Sequence, residues 1–239
     1  MIKFAGLEFK RLTKESLFQA GQKCIFLVTA NSEIIVKANE DKNYRAILEK
    51  AECSLDGQIP YALARLLNKK ISIEKISGSD LIYDVCSHAH KNHEKIFLLG
   101  AAEESNTGAV VKLHQRFHGL QVKGFSPPFE SYPFSASTEN QINKLISDFH
   151  PHYIFVGFGA GKQEMWIHDH LEWLEKQNVK MVVGSGGTFE FVSGKILRAP
   201  KFLQVIGLEG VFRLVMEPKL FRLKRLLKSF KIFFYAFKS

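Results

Sequence analysis

Apolar runs of four to six residues recur along the chain, most of them followed by glycine or small polar residues and then by helical spacing. This alternation predicts parallel strands joined by helices. The runs fall at 24–28, 71–76, 95–99, 120–125, 153–156 and 180–183. Helical periodicity follows at 39–50, 61–67, from 77 onward, 106–117 and 138–149, and again behind the glycines at 161 and 187. Residues 1–22 mix polar and apolar positions and leave room for a small strand and a helix. The segment 126–133 holds three prolines, which exclude helix and central strand and predict an irregular loop of the kind that often covers a site. The predicted fold is α/β, a Rossmann-like and mostly parallel sheet flanked by helices.

One unit is written twice. The run at 153–156 enters Gly157, Gly159 and Gly161, with Gln163 and Glu164 opening a helix; the run at 180–183 enters Gly184, Gly186 and Gly187, with Glu190 in the next helix. Two parallel strands with adjacent glycine turns form the edge at which open α/β sheets take ligands, and a backbone without Cβ lets a nucleotide or sugar approach. The spacing is not that of a dinucleotide fingerprint. The third glycine comes one position early, at 161, and no acidic residue ends a following strand about 20 residues on.

Beyond Pro218 the pattern changes. On a helical wheel Leu220, Leu223, Leu226, Leu227, Phe230, Phe233, Phe234 and Phe237 share one face, and Arg222, Lys224, Arg225, Lys228 and Lys231 cover the other. This predicts a basic amphipathic helix lying in the headgroup plane of an anionic membrane; packing on the body is the alternative. A core over 1–200 and a helical, membrane-associating appendage over 201–239 are the expected domains.

The net charge of +9 belongs to this tail. Seven basic residues and no acidic one follow Pro218, leaving 26 basic against 24 acidic residues before it. A neutral body without a recognition motif argues against a nucleic-acid partner. A noncatalytic membrane or nucleic-acid-binding protein using the tail is the competing class of function. No apolar run approaches the roughly 18 residues of a membrane span, and no leader pattern opens the chain, so the expectation is a cytoplasmic protein, peripheral on the inner face of the membrane. Cys24, Cys53 and Cys86 stand in no paired motif and read as reduced, buried thiols. The nine histidines include His88, His90 and His93, and His114 with His118, yet no HExxH pattern or suitably spaced cysteine accompanies them. Surface and cap histidines, with no metal, are the expectation.

Several short motifs occur in one order: Thr29 to Asn31, Leu55-Asp56-Gly57, Ser77 to Leu81, Gly159 to Trp166, Gly184 to Glu190, Ser193-Gly194, Arg198 to Pro200, Leu208-Glu209, and Arg213 with Glu217-Pro218. Together they span nearly the whole chain and resemble the WecG/TagA/CpsF family of glycosyltransferases. The resemblance implies transfer of an N-acetylmannosamine-type or related sugar from a UDP-sugar to a polyprenyl-diphosphate-linked sugar, with no cofactor and no bound divalent metal. Gly161 stands where the family has proline, Glu190 where it has aspartate, Gly210 where tryptophan is common and Lys75 where arginine is frequent.

The same resemblance makes Asp56 the base of an inverting, single displacement, since an acceptor hydroxyl needs a positioned carboxylate to take its proton. Thr29 and Asn31 would orient the reacting sugar. Gly157, Gln163, Glu164, Gly184 and Glu190 would form the donor side, with Glu190 accepting from uracil. Arg198, Arg213, Arg222 and Arg225 are the candidates to stabilise the departing diphosphate. The implied partners are the UDP-sugar, the lipid-linked acceptor and an anionic membrane surface; a homo-oligomer is left open.

Overall fold

The longest uninterrupted apolar runs become strands buried on both faces, as a parallel sheet between helices requires. The computed structural model describes residues 2–10, 12–19, 23–69 and 74–237, apart from the Phe221 side chain. The chain opens with β1 (Ile2–Phe4) and β2 (Leu7–Phe9), a 3-10 turn (Glu15–Phe18), β3 (Ile25–Ala30), α1 (Ser32–Glu40), α2 (Lys42–Leu48), β4 (Glu52–Leu55) and α3 (Gln58–Leu67). It continues through α4 (Gly78–Lys91), β5 (Lys95–Gly100), α5 (Glu103–Arg116), β6 (Gln121–Phe125), α6 (Ala136–Phe149), β7 (Tyr153–Gly157), α7 (Lys162–Lys176), β8 (Met181–Gly184) and α8 (Thr188–Ser193). Four helices end it: α9 (Lys201–Val205), α10 (Glu209–Met216), α11 (Leu220–Ser229) and α12 (Ile232–Ala236).

The main sheet is six-stranded and all-parallel, in the order β4-β3-β8-β7-β5-β6. Contacts gather the chain into two compact units, one of Met1–Ser16, Thr29–Ser77 and Leu197–Ser239, the other of Leu17–Val28 and Gly78–Ile196. By this measure the residues beyond 197 group with 1–16 and 29–77.

In the second unit β5, β7 and β8 are buried almost throughout, while the edge strand β6 alternates. Tyr153 pairs with both Ile96 and Met181, and Val156 with both Leu99 and Gly184, so the ends of these strands are level. Helix α4 buries Leu81, Ile82, Val85, Cys86 and Ala89, a stripe at helical spacing. Asn106 of α5 ties strand ends together, donating to the carbonyls of Leu98 and Gly100 at 2.9 Å and of Phe125 at 3.3 Å. Gly124 is required there, since a Cβ would lie 1.8 Å from Asn106 Oδ1.

In the first unit β1 and β2 form an antiparallel hairpin that buries Ile2, Phe4, Leu7 and Phe9. The helix expected over 39–50 is α2, and α1, which precedes it, was not expected. Asp41 ends α1 and caps α2, its Oδ1 accepting from Asn43 N at 3.0 Å and Tyr44 N at 3.1 Å. The strand expected at 71–76 falls partly outside the described residues, but Lys75 bridges Leu55 in parallel and Ile76 N donates to Leu55 O at 3.1 Å. The single tail helix is broken into α11 and α12, which pack on α1. Ile232 and Ala236 are buried.

Candidate active site

Parallel pairing delivers the first cluster. Strand β3 ends in buried Thr29, and Asn31 caps α1 through Oδ1, which accepts from Ile34 N at 3.1 Å. The cap occupies the amide oxygen and leaves Nδ2 for a ligand. Asp56 follows β4, and its N–H donates to Ala30 O at 3.1 Å, which sets it beside the Thr29 to Asn31 corner. Gly57, at φ 83°, turns the chain into α3, where Pro60 is tolerated in the first turn.

Ser54 Oγ donates to Ile76 O at 3.1 Å, holding the 75–77 segment along β4 and bringing the Ser77 hydroxyl onto the Asp56 carboxylate. Lys75 Nζ donates to Gln58 Oε1 at 3.4 Å, one turn from the same corner. Burial pushes the Asp56 pKa up to about 6, and the neighbouring Glu209 carboxylate adds to the rise; Ser77, the Gly57 N–H and Arg198 oppose it. Asp56, Thr29, Asn31 and Arg198 therefore lie at one corner of the first unit. Ser77 and Glu209 join them without having been singled out as site residues. Ser77 reads in sequence as a helix cap, and nothing local in the sequence points it or Glu209 at Asp56.

The second cluster lies within the other unit, at the ends of β7 and β8. Gly159 and Gly161 have φ of 90° and 100°, which glycine alone adopts cheaply. Glu164 Oε2 accepts from Gly161 N at 2.6 Å, and its Oε1 accepts from Gln163 Nε2 at 2.8 Å. Gln163 Oε1 in turn accepts from Gly186 N at 3.1 Å. Gln163 and Glu164 are fully buried and stitch one glycine turn to the other. Gly184 gives them room, since a Cβ there would stand 3.0 Å from Gln163 Nε2. Gly157 faces Phe189, and Glu190, half-buried in the first turn of α8, keeps Oε2 inside with no hydrogen-bond partner among the described residues.

The loop after β6 is fastened over the start of α7. Lys162 donates to Glu130 O and lies 4.7 Å from the Phe134 ring centre, and Tyr132 donates to Asp169 at 2.6 Å.

The remaining arginines are in the first unit. Arg213 lies on α10, Arg222 pairs with Glu217, and Arg225 Nε donates to both oxygens of Glu33 at 2.8 and 2.9 Å. Histidines have other partners: His88 stacks on Phe18, His152 Nδ1 accepts from Lys95 N, and His170 sits between Glu139 and the Trp166 carbonyl. The three cysteines are free and buried, and burial raises the Cys24 and Cys86 thiols to about 12.

Comparison with known sequences names the family. Residues 2–239 match the Glycosyl transferase WecG/TagA/CpsF family. The chain belongs to that family. Relatives in Staphylococcus aureus strains MRSA252 and MW2, each named N-acetylglucosaminyldiphosphoundecaprenol N-acetyl-beta-D-mannosaminyltransferase, are 32% identical over 212 residues. The match covers 88% of this chain and 78% of each relative. No helix among the described residues is long and apolar enough to cross a membrane.

Proposed function

We propose that this glycosyltransferase moves an N-acetylmannosamine-type sugar from a UDP-sugar to N-acetylglucosamine carried on a polyprenyl diphosphate, with inversion at the anomeric carbon. The observation that carries the reading is the Asp56 carboxyl, buried to a pKa of about 6 and set beside Thr29 and Asn31. An acceptor hydroxyl attacks the anomeric carbon as its proton passes to Asp56, while the carbon–oxygen bond to UDP breaks from the opposite side. The base is ionised at neutral pH yet keeps affinity for a proton.

Thr29 and the Asn31 amide orient the sugar. Gln163 and Glu164 fix the two glycine turns through Gly186 N and Gly161 N, Gly157 and Gly184 lead into the turns that meet the donor, and Glu190 Oε2 accepts from the uracil N–H. Arg198 takes up charge on the departing UDP, with Arg213, or Arg222 and Arg225 once released from Glu217 and Glu33, completing the task. No bound divalent cation is needed in this scheme. Residues 1–200 form the glycosyltransferase core, and 201–239 lend it arginines and bring it to the membrane surface that holds the acceptor. Mass spectrometry of reactions containing UDP-N-acetylmannosamine and the lipid-linked acceptor tests this directly: a product heavier by one N-acetylhexosamine is expected, and its absence with every UDP-sugar tried refutes the reading.

A further inference from the structure

Most of the tail's charges are held in ion pairs with carboxylates of the same unit. Six cations follow Pro218 among the described residues: Lys219, Arg222, Lys224, Arg225, Lys228 and Lys231. Arg225 grips Glu33 with both oxygens in reach, and Lys228 and Lys231 lie 2.8 and 2.7 Å from the two oxygens of Glu40. Lys219 and Arg222 share Glu217. Three carboxylates therefore engage five of the six cations, and the hydrogen bond from Lys228, joined by Lys231, holds the Glu40 pKa below the usual range.

The outward side is apolar. Leu220, Leu227, Phe234 and Phe237 are 60–68% exposed, and Val205 and Val215 on the preceding helices continue the surface at 64% and 71%. Attraction of a polybasic segment to an anionic leaflet scales with its uncompensated cations, whereas insertion scales with apolar area. Half of the charge is cancelled in place and the apolar area is not.

Resting on the membrane reading above, we propose that this face of residues 197–239 binds lipid by apolar insertion, and that Glu33 and Glu40 of α1 hold the tail's cations back from anionic headgroups. The surface thus fits a zwitterionic bilayer as well as an anionic one, and the two glutamates set its lipid selectivity.

Sedimentation of the full chain with phosphatidylcholine vesicles, and with vesicles containing phosphatidylglycerol, tests this. Wild type is expected on both; the roughly three cations left uncompensated favour the anionic vesicles by up to about a hundredfold at low salt, and about 0.5 M salt, where screening is nearly complete, removes that preference without abolishing binding. The Glu33→Gln/Glu40→Gln pair gains about tenfold or more on anionic vesicles at low salt, loses the gain in high salt and shows none on phosphatidylcholine. Lys228→Gln/Lys231→Gln leaves binding to phosphatidylcholine unchanged and decides the matter should the glutamate pair not fold. Leu227→Asp/Phe234→Asp abolishes both. Wild-type binding that needs anionic lipid and vanishes with salt overturns the proposal, as does a loss of phosphatidylcholine binding on Lys228→Gln/Lys231→Gln. Binding to neither vesicle removes the membrane reading too. A stable dimer that dissociates on Leu227→Asp/Phe234→Asp and ignores lipid assigns the face to a second copy.

Discussion

A base that works at neutral pH must be ionised and still want a proton, and Asp56 reaches that state through burial. Its raised pKa gives two predictions of opposite sense. Turnover rises with pH through about 6 as the carboxylate forms, read from initial rates across pH 5 to 8. Stability runs the other way: the folded protein binds this proton more tightly than the unfolded chain, so the contribution is full below the ordinary 3.8 and is lost as pH climbs through about 6. Asp56→Asn removes the buried charge and is expected to raise the melting temperature at pH 7.5, by up to about 3 kcal/mol of stability, with little change near pH 4. Equal melting shifts at both pH values contradict this account of Asp56. The Asp-Gly pair alone reads as a turn; its place in the motif order gave it a role. Ser77 and Glu209 were hidden because their approach to Asp56 is a long-range contact that no local spacing encodes.

Among the elements, the glycine turns behind β7 and β8 were plain in the sequence, since a buried parallel strand is a continuous apolar run. What held the turns was not. Gln163 and Glu164 looked like ligand-facing polar residues, and in the fold each uses both polar ends of its side chain on a neighbour or a glycine N–H. Gln163→Ala takes the acceptor from Gly186 N and is expected to cost about 1–3 kcal/mol in stability and to weaken UDP binding; calorimetry showing wild-type UDP affinity refutes the positioning role. Helix α1 was missed because Ile34-Ile35-Val36 interrupts helical spacing with an unbroken apolar run, and the break at Asp41 because a side-chain cap leaves the surrounding periodicity intact. The wheel over 220–237 found the right two faces. It could not tell which cations would be paired, because that depends on Glu33 and Glu40, nearly two hundred residues away in the chain.

At the scale of the molecule, the α/β class and its parallel sheet were legible from the repeated strand, glycine and helix units, while the grouping of 197–239 with 29–77 was not, because composition does not report where a tail docks. That docking gives removal of 219–239 a cost. Ile232 and Ala236 leave the core, Glu33 and Glu40 lose their cations, and the truncated protein is expected to melt at lower temperature and to lose vesicle binding. Arginine in place of a divalent cation predicts that excess EDTA leaves turnover unchanged, and a loss restored by magnesium argues otherwise. The central claim is that Asp56 takes the proton in sugar transfer. Its most direct test is the single-turnover rate of Asp56→Asn on UDP-N-acetylmannosamine and the lipid-linked acceptor, measured beside its UDP affinity: transfer lower by about a hundredfold or more with wild-type UDP binding is the predicted result, and transfer at the wild-type rate contradicts it.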